Sequence, residues 1–119
     1  MEIYSSVEQL DRILTGENGL LIKYHFGEGL DKSLLFELYS FLENLRGELK
    51  NQVSVDKSIV YRLVSIVPCL YRDYSQYSHK DGCEEYESII YKLDSAILLC
   101  FNPDKDDPFF NTPLLELES

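Results

Sequence analysis

The sequence contains few basic residues and no cluster of them. Of its 119 residues, 21 are acidic and 11 are Lys or Arg, which gives a formal net charge of −10. Binding to nucleic acid requires clustered Lys and Arg that displace counterions from phosphates, so this composition disfavours direct nucleic-acid binding. It disfavours binding to anionic membranes for the same reason. The natural complement is a basic protein partner, because opposite charges accelerate encounter.

Paired cysteines and long hydrophobic runs are also lacking. The three cysteines, Cys69, Cys83 and Cys100, form no CxxC motif, and their odd number favours reduced thiols over a disulfide framework. No apolar run reaches the roughly 18 residues of a membrane-spanning helix. The first residues, MEIYSSVEQLD, have neither the basic nor the apolar region of a signal peptide. We therefore expect a cytoplasmic protein that makes no contact with a membrane.

No catalytic, metal-binding or cofactor-binding signature is found. His79 and Cys83 are four residues apart, but a zinc site needs three or four ligands. Asp104 and Asp106 have the spacing of a calcium loop, yet the glycine and the glutamate that such a loop requires are missing. No frame such as GxSxG surrounds a nucleophile. The sequence predicts that the protein is not an enzyme and holds neither a metal ion nor a cofactor.

Hydrophobic periodicity predicts a chain that is mostly helical. After Ser6, which can cap a helix, apolar residues recur at helical spacing as far as Gly16, and this indicates a short first helix. From Asp31, a stripe rich in leucine runs to Leu49, with Phe36 on the opposite side of the same helix. Asp31 can accept hydrogen bonds from the first free N–H groups of that helix.

Two further helices are predicted in the second half. The segment SVDKSIVYRLVSIVPCLYRDY is rich in β-branched residues but keeps helical spacing, and its length favours a helix that is kinked at Pro68. Tyr71 and Tyr74 extend its apolar stripe, so we expect both in the core. The last helix begins with a capping box in which Asp81 is the N-cap and Glu84 is the third helical residue.

The segment GLLIKYHFGEG is the one ambiguous element. Apolar residues alternate within residues 20–26 and glycines flank them, a pattern typical of a strand. A lone strand would have no partner for its backbone groups, so a short helix remains the alternative.

We predict an all-α domain of residues 1–119, an irregular bundle of four to five helices, with a short β element near residues 20–26 left open. From about residue 102 the chain should form an extended tail, anchored by Phe109 and Phe110.

Acidic residues are concentrated towards the end of the chain. Residues 73–119 contain 11 acidic and 3 basic residues, and the last helix carries a polar stripe at spacings of three and four. Tyrosine is common at interface hot spots, and neighbouring carboxylates can accept charge-assisted hydrogen bonds from Lys or Arg. We predict that the partner-binding residues are Tyr77, Glu84, Glu87, Tyr91, Asp94, Asp104, Asp106 and Asp107.

In its size, its acidity and its interleaving of Tyr with Asp and Glu, the chain resembles small bacterial immunity proteins of the colicin and contact-dependent types. That resemblance implies a protein that binds a basic nuclease toxin and blocks its active site or its substrate surface. Two alternatives stay open. A phage inhibitor that mimics nucleic acid, such as an anti-CRISPR or anti-restriction protein, would space its carboxylates like phosphates. A helical adaptor would use hydrophobic residues outside the stripes, including Phe36, as a homodimer seam.

Overall fold

A computed structural model describes residues 3–80 and 82–102, and it contains five α-helices in that part of the chain. The helices are α1 (Ile3–Leu14), α2 (Leu20–His25), α3 (Lys32–Leu49), α4 (Lys57–Tyr74) and α5 (Cys83–Phe101). No strand occurs among these residues, so the predicted all-α fold is confirmed. None of the described helices is both long and apolar enough to cross a membrane. The predicted tail beyond Asn102 lies outside the described residues.

Residues 20–26 do not form the β element that the sequence left open. They contain α2, in which the backbone N–H of Lys23 donates to the carbonyl of Gly19 at 3.0 Å. Leu20 and Tyr24, four residues apart, share the buried face of this helix. A helix satisfies its backbone hydrogen bonds internally, whereas a strand would need a partner, and the described residues provide none.

All five helices pack around one hydrophobic core. α5 packs mainly against α3 and also against α4, while α4 also contacts α1 and α2. The largest fully buried side chains come from every helix: Leu10, Ile13, Leu20, Tyr24, Leu38, Phe41, Leu42, Leu63, Ile66, Leu70, Ile90 and Leu93. This shared core holds α4 and α5 side by side, with an outward surface on each.

The start of α3 follows the prediction closely. The Oδ1 atom of Asp31 accepts a hydrogen bond from the backbone N–H of Leu34 at 3.1 Å, as an N-cap residue does. Its Oδ2 atom accepts from the Nζ atom of Lys23 at 2.8 Å. The hydrogen bond from Lys23, followed by that from Leu34, lowers the pKa of Asp31 below its usual value. Asp31 therefore joins α2 to α3 as well as capping α3.

Two predicted helix starts are wrong in detail. The first helix begins at Ile3, so Ser6 lies inside α1 and is buried. At α5 the N-cap residue is Gly82, in the left-handed conformation with a φ angle of 85°, and glycine has no side chain that could cap the helix. The N-cap therefore lies one residue after the predicted Asp81, which itself lies outside the described residues. Glycine adopts a positive φ without steric cost, which explains the shift.

The predicted position of Tyr71 in the core is also wrong. α4 runs without interruption from Lys57 to Tyr74 through Pro68, and the kink predicted at Pro68 stays a prediction. The buried face of α4 centres on Ile66, whereas Val67 is only partly buried. This orientation leaves Tyr74 partly packed against the core and turns Tyr71 towards solvent.

Candidate functional site: an acidic face of the last helix

α5 presents the polar stripe that its sequence predicts. Glu84, Glu87, Tyr91 and Asp94 follow one another at intervals of three, four and three residues, and all four are exposed. Tyr91 is 68% exposed, which is high for an aromatic side chain. The opposite face of the helix is buried. We call these four residues the acidic row.

The acidic row contains three carboxylates and no basic residue. Glu85 lies beside the row but points towards α3, where its Oε1 atom is 3.4 Å from the Nζ atom of Lys32. Lys92 is the one basic residue of α5. Because like charges on one face raise the local negative potential, the row forms a surface that attracts cations. Its carboxylates can accept charge-assisted hydrogen bonds from Lys or Arg of a partner.

The N-terminal part of the row lies beside the end of α4. The hydroxyl of Tyr74 donates to the carbonyl of Cys83 at 3.4 Å, which links the last turn of α4 to the first residue of α5. Burial is the main cause that raises the pKa of Tyr74, and the negative charges of Glu87 and Glu84 raise it further. Two residues of the row therefore lie close enough to the end of α4 to disfavour ionisation of Tyr74.

Leu98 extends the row and is not among the site residues predicted from the sequence. It lies four residues after Asp94, so it falls on the same side of α5, and it is exposed. The signal was present in the sequence, because the spacing that connects Glu87 to Tyr91 also connects Asp94 to Leu98. An exposed leucine at the end of the row adds an apolar contact to its charges.

Tyr77 does not belong to this surface, so its prediction as an exposed residue is wrong. The side chain is only 3% exposed. Its hydroxyl donates to the carbonyl of Tyr24 at 2.7 Å and accepts from the backbone N–H of Gly29 at 3.0 Å. Its ring stacks on that of Tyr24, with 4.5 Å between the centroids, and meets the ring of Tyr86 edge-on at 5.1 Å. Tyr77 joins the loop after α4 to α2 and has almost no exposed surface to offer a partner.

The remaining predicted site residues, Asp104, Asp106 and Asp107, lie outside the described residues. Among the residues that the structure does describe, no three His, Cys, Asp or Glu side chains are grouped as metal ligands would be. His25 is instead paired with Asp73, with 3.1 Å between Nδ1 and Oδ1. The expected absence of metal and cofactor stays a prediction.

A cleft of about 780 Å³ lies between the C-terminal ends of α3 and α5. Leu49, Val53 and Phe101 contribute apolar surface to it, and Cys100 is its one thiol within the described lining. Burial raises the pKa of Cys100 to about 12. Since the thiolate is the reactive form, Cys100 is a poor nucleophile at neutral pH. Cys100 therefore does not give the cleft an activated thiol, and the expectation that the protein is not an enzyme stays a prediction.

No protein-family model, curated protein or solved structure matches this chain.

Proposed function

We propose that this protein is a cytoplasmic inhibitor that binds a basic toxin domain, most directly that of a nuclease, through the acidic row. The observation that carries the proposal is the exposure of Glu84, Glu87, Tyr91 and Asp94 on one face of α5. A nuclease holds the phosphates of its substrate with Lys and Arg. Those same side chains can donate hydrogen bonds to carboxylates, so an acidic face competes with the substrate.

The packing of α5 against the core favours tight binding by the acidic row. Its opposite face is buried through Ile90, Leu93 and Ile97, so the row is presented by an element that is already ordered. Binding to an ordered surface avoids the entropy cost of immobilising a loop. Tyr91 is suited to be the central contact, because a tyrosine combines a large apolar ring with a hydroxyl. Glu84 and Asp94, on either side of it, would steer a basic partner into register.

The proposal can be tested with a purified basic nuclease domain encoded directly beside this gene. We expect a triple variant, Glu84→Lys with Glu87→Lys and Asp94→Lys, to lose about 100-fold or more in affinity, since buried charge pairs at interfaces cost several kcal/mol when broken. Tyr91→Ala should reduce affinity by about 30-fold or more, as truncated hot-spot residues do. Surface plasmon resonance gives both values, and a nuclease assay shows whether inhibition is lost in parallel.

A matched control separates the position of the charges from their number. Glu8, Glu17 and Glu43 are exposed on other parts of the chain, and changing all three to lysine alters the net charge by the same amount. We expect this control to slow association modestly and to keep the dissociation rate of the wild type. Raising the salt concentration should slow the association of the wild type. Equal losses in the two triple variants would contradict the proposal, as would a wild type that fails to bind or inhibit the domain.

A further inference from the structure

α4 carries an exposed apolar row that its position in the bundle leaves uncovered. Tyr61, Val64, Pro68 and Tyr71 occur at intervals of three, four and three residues and are all exposed. Tyr61 is 71% exposed, Val64 53% and Tyr71 52%. The outward face of a surface helix is normally polar, so an unbroken row of apolar side chains there indicates a contact surface. We call these four residues the α4 row.

The α4 row has the same spacing, and a tyrosine at its end, in both directions along the helix. A tyrosine stands at each end and two smaller apolar residues lie between them, symmetrically about position 66. A second copy of α4 that runs antiparallel across a two-fold axis at this level would place Tyr61 against Tyr71 of the partner subunit. The same axis would place Val64 against Pro68 of the partner subunit. Contacts made by the same patch on both copies are those of a two-fold dimer.

The charges of α4 favour a second copy over the basic partner of α5. α4 contains three basic residues, Lys57, Arg62 and Arg72, and one acidic residue, Asp73. Arg62 is paired with Asp11 at 2.6 Å and Arg72 with Asp73 at 3.2 Å. A basic domain would therefore gain no electrostatic attraction at this helix. The net charge of −10 opposes self-association generally, but least at a helix whose two arginines are each paired with an aspartate.

We infer that the α4 row is the seam of a weak two-fold dimer of this chain. A tyrosine contributes roughly 150–250 Å² when it is fully buried, so the half-exposed row can cover about 400 Å² on each copy. The resulting total of about 800 Å² is below the roughly 1,200 Å² of a stable interface, so the dimer should dissociate on dilution. The inference is independent of the proposed function, because it does not use the acidic row.

Sedimentation velocity over micromolar to millimolar concentrations tests the inference. We expect the wild type to shift from monomer to dimer and Val64→Glu to stay monomeric, with unchanged far-ultraviolet circular dichroism. Leu98→Glu is the matched control, because it places the same charge on the exposed face of α5 and should leave the dimer intact. A wild type that is monomeric throughout would overturn the inference. So would a control that abolishes association, or growth beyond the dimer, since these indicate a head-to-tail contact between α4 and α5.

The two-fold register can be tested separately with charge pairs. In the proposed dimer, residue 61 of each copy faces residue 71 of the other. The double variant Tyr61→Glu with Tyr71→Lys therefore creates two opposite-charge contacts, whereas Tyr61→Lys with Tyr71→Lys creates two like-charge contacts. We expect the first variant to self-associate at least about tenfold more tightly than the second, with a difference that shrinks as salt is added. Equal dissociation constants for the two would rule out this register.

Discussion

The hydroxyl of Tyr77 donates a hydrogen bond of 2.7 Å to the backbone carbonyl of Tyr24, which lies 53 residues earlier in the chain. Their rings also stack, with 4.5 Å between the centroids. The same hydroxyl accepts from the N–H of Gly29, so one side chain satisfies backbone groups on both sides of the turn after α2. Tyr77 thus has a structural role, and among the described residues the acidic row is the exposed part of the predicted binding surface.

Removing the hydroxyl of Tyr77 should destabilise the fold. Tyr77→Phe leaves the buried N–H of Gly29 without its acceptor, so we expect the free energy of unfolding to fall by about 1–3 kcal/mol. Tyr24→Phe is the matched control, because the hydroxyl of Tyr24 is buried without a hydrogen-bond partner in the described part of the chain. That variant should be as stable as the wild type or more so. Urea denaturation measures both, and a larger loss for Tyr24→Phe than for Tyr77→Phe would refute this account.

Two glycines should respond to alanine in opposite directions. Gly29 has a φ angle of 81°, and a Cβ atom added to it would lie 2.7 Å from the hydroxyl oxygen of Tyr86. We expect Gly29→Ala to lower the free energy of unfolding by about 1–3 kcal/mol. Gly47 lies inside α3, and an added Cβ atom would meet nothing within 4 Å. Gly47→Ala should raise stability by about 0.5–1 kcal/mol, because alanine is the better helix former. Thermal denaturation shows whether each variant is more or less stable than the wild type. A change in the same direction for both variants would contradict the prediction.

Stability should decline in acid partly through Asp73. Hydrogen bonds from Arg72 and then from His25 lower the pKa of this carboxyl group. A carboxyl group whose folded pKa lies below its unfolded value of about 3.9 adds stability above that pH. The contribution is lost as the pH falls through the lower, folded pKa. We expect Asp73→Asn to cost about 1 kcal/mol at neutral pH and to decline less steeply in acid.

Unfolding by urea at a series of acidic pH values measures that difference. Glu8→Gln, which removes an exposed carboxyl group of α1, is the control and should follow the wild type. A profile of Asp73→Asn that parallels the wild type down to the most acidic pH would show that Asp73 does not contribute in this way.

Cys100 should react slowly with alkylating reagents while the protein is folded. Its Sγ atom donates to the carbonyl of Leu42 at 3.4 Å, and burial raises its pKa to about 12. We expect iodoacetamide at neutral pH to modify Cys100 at least about 100-fold more slowly in the folded protein than in urea, because the thiolate is the nucleophile. Cys69 and Cys83, which are only partly buried, are internal controls for mass spectrometry of the peptides. Comparable rates at all three cysteines would show that Cys100 is not protected.

The longer helices could be predicted because their signals are local. The leucine stripe after Asp31 and the alternation of buried and exposed residues in α5 both arise from the 3.6-residue period of the helix. The acidic row was predicted for the same reason, since Glu84, Glu87, Tyr91 and Asp94 share a face in any helix that includes them. The α4 row also has this spacing. Because its residues are apolar, the same pattern predicted that Tyr71 lies in the core.

Short elements and loops could not be predicted in the same way. Residues 20–26 alternate like a strand, and they form a helix because the described chain offers no strand to pair with them. Tyr77 lies in a loop that has no periodic pattern, so nothing in its neighbours indicates burial. It is buried because α2 and the turn at Gly29 lie against it.

The sequence specifies an acidic, mostly helical chain and the faces of its long helices, because charge is a sum over residues and helical periodicity acts within a few turns. Which aromatic residues are covered depends on contacts between segments that are far apart in the chain. Packing around one core turns Tyr77 inward, leaves Tyr71 and Tyr91 exposed, and places α4 beside α5. That arrangement decides which tyrosines reach solvent, and no local pattern could reveal it.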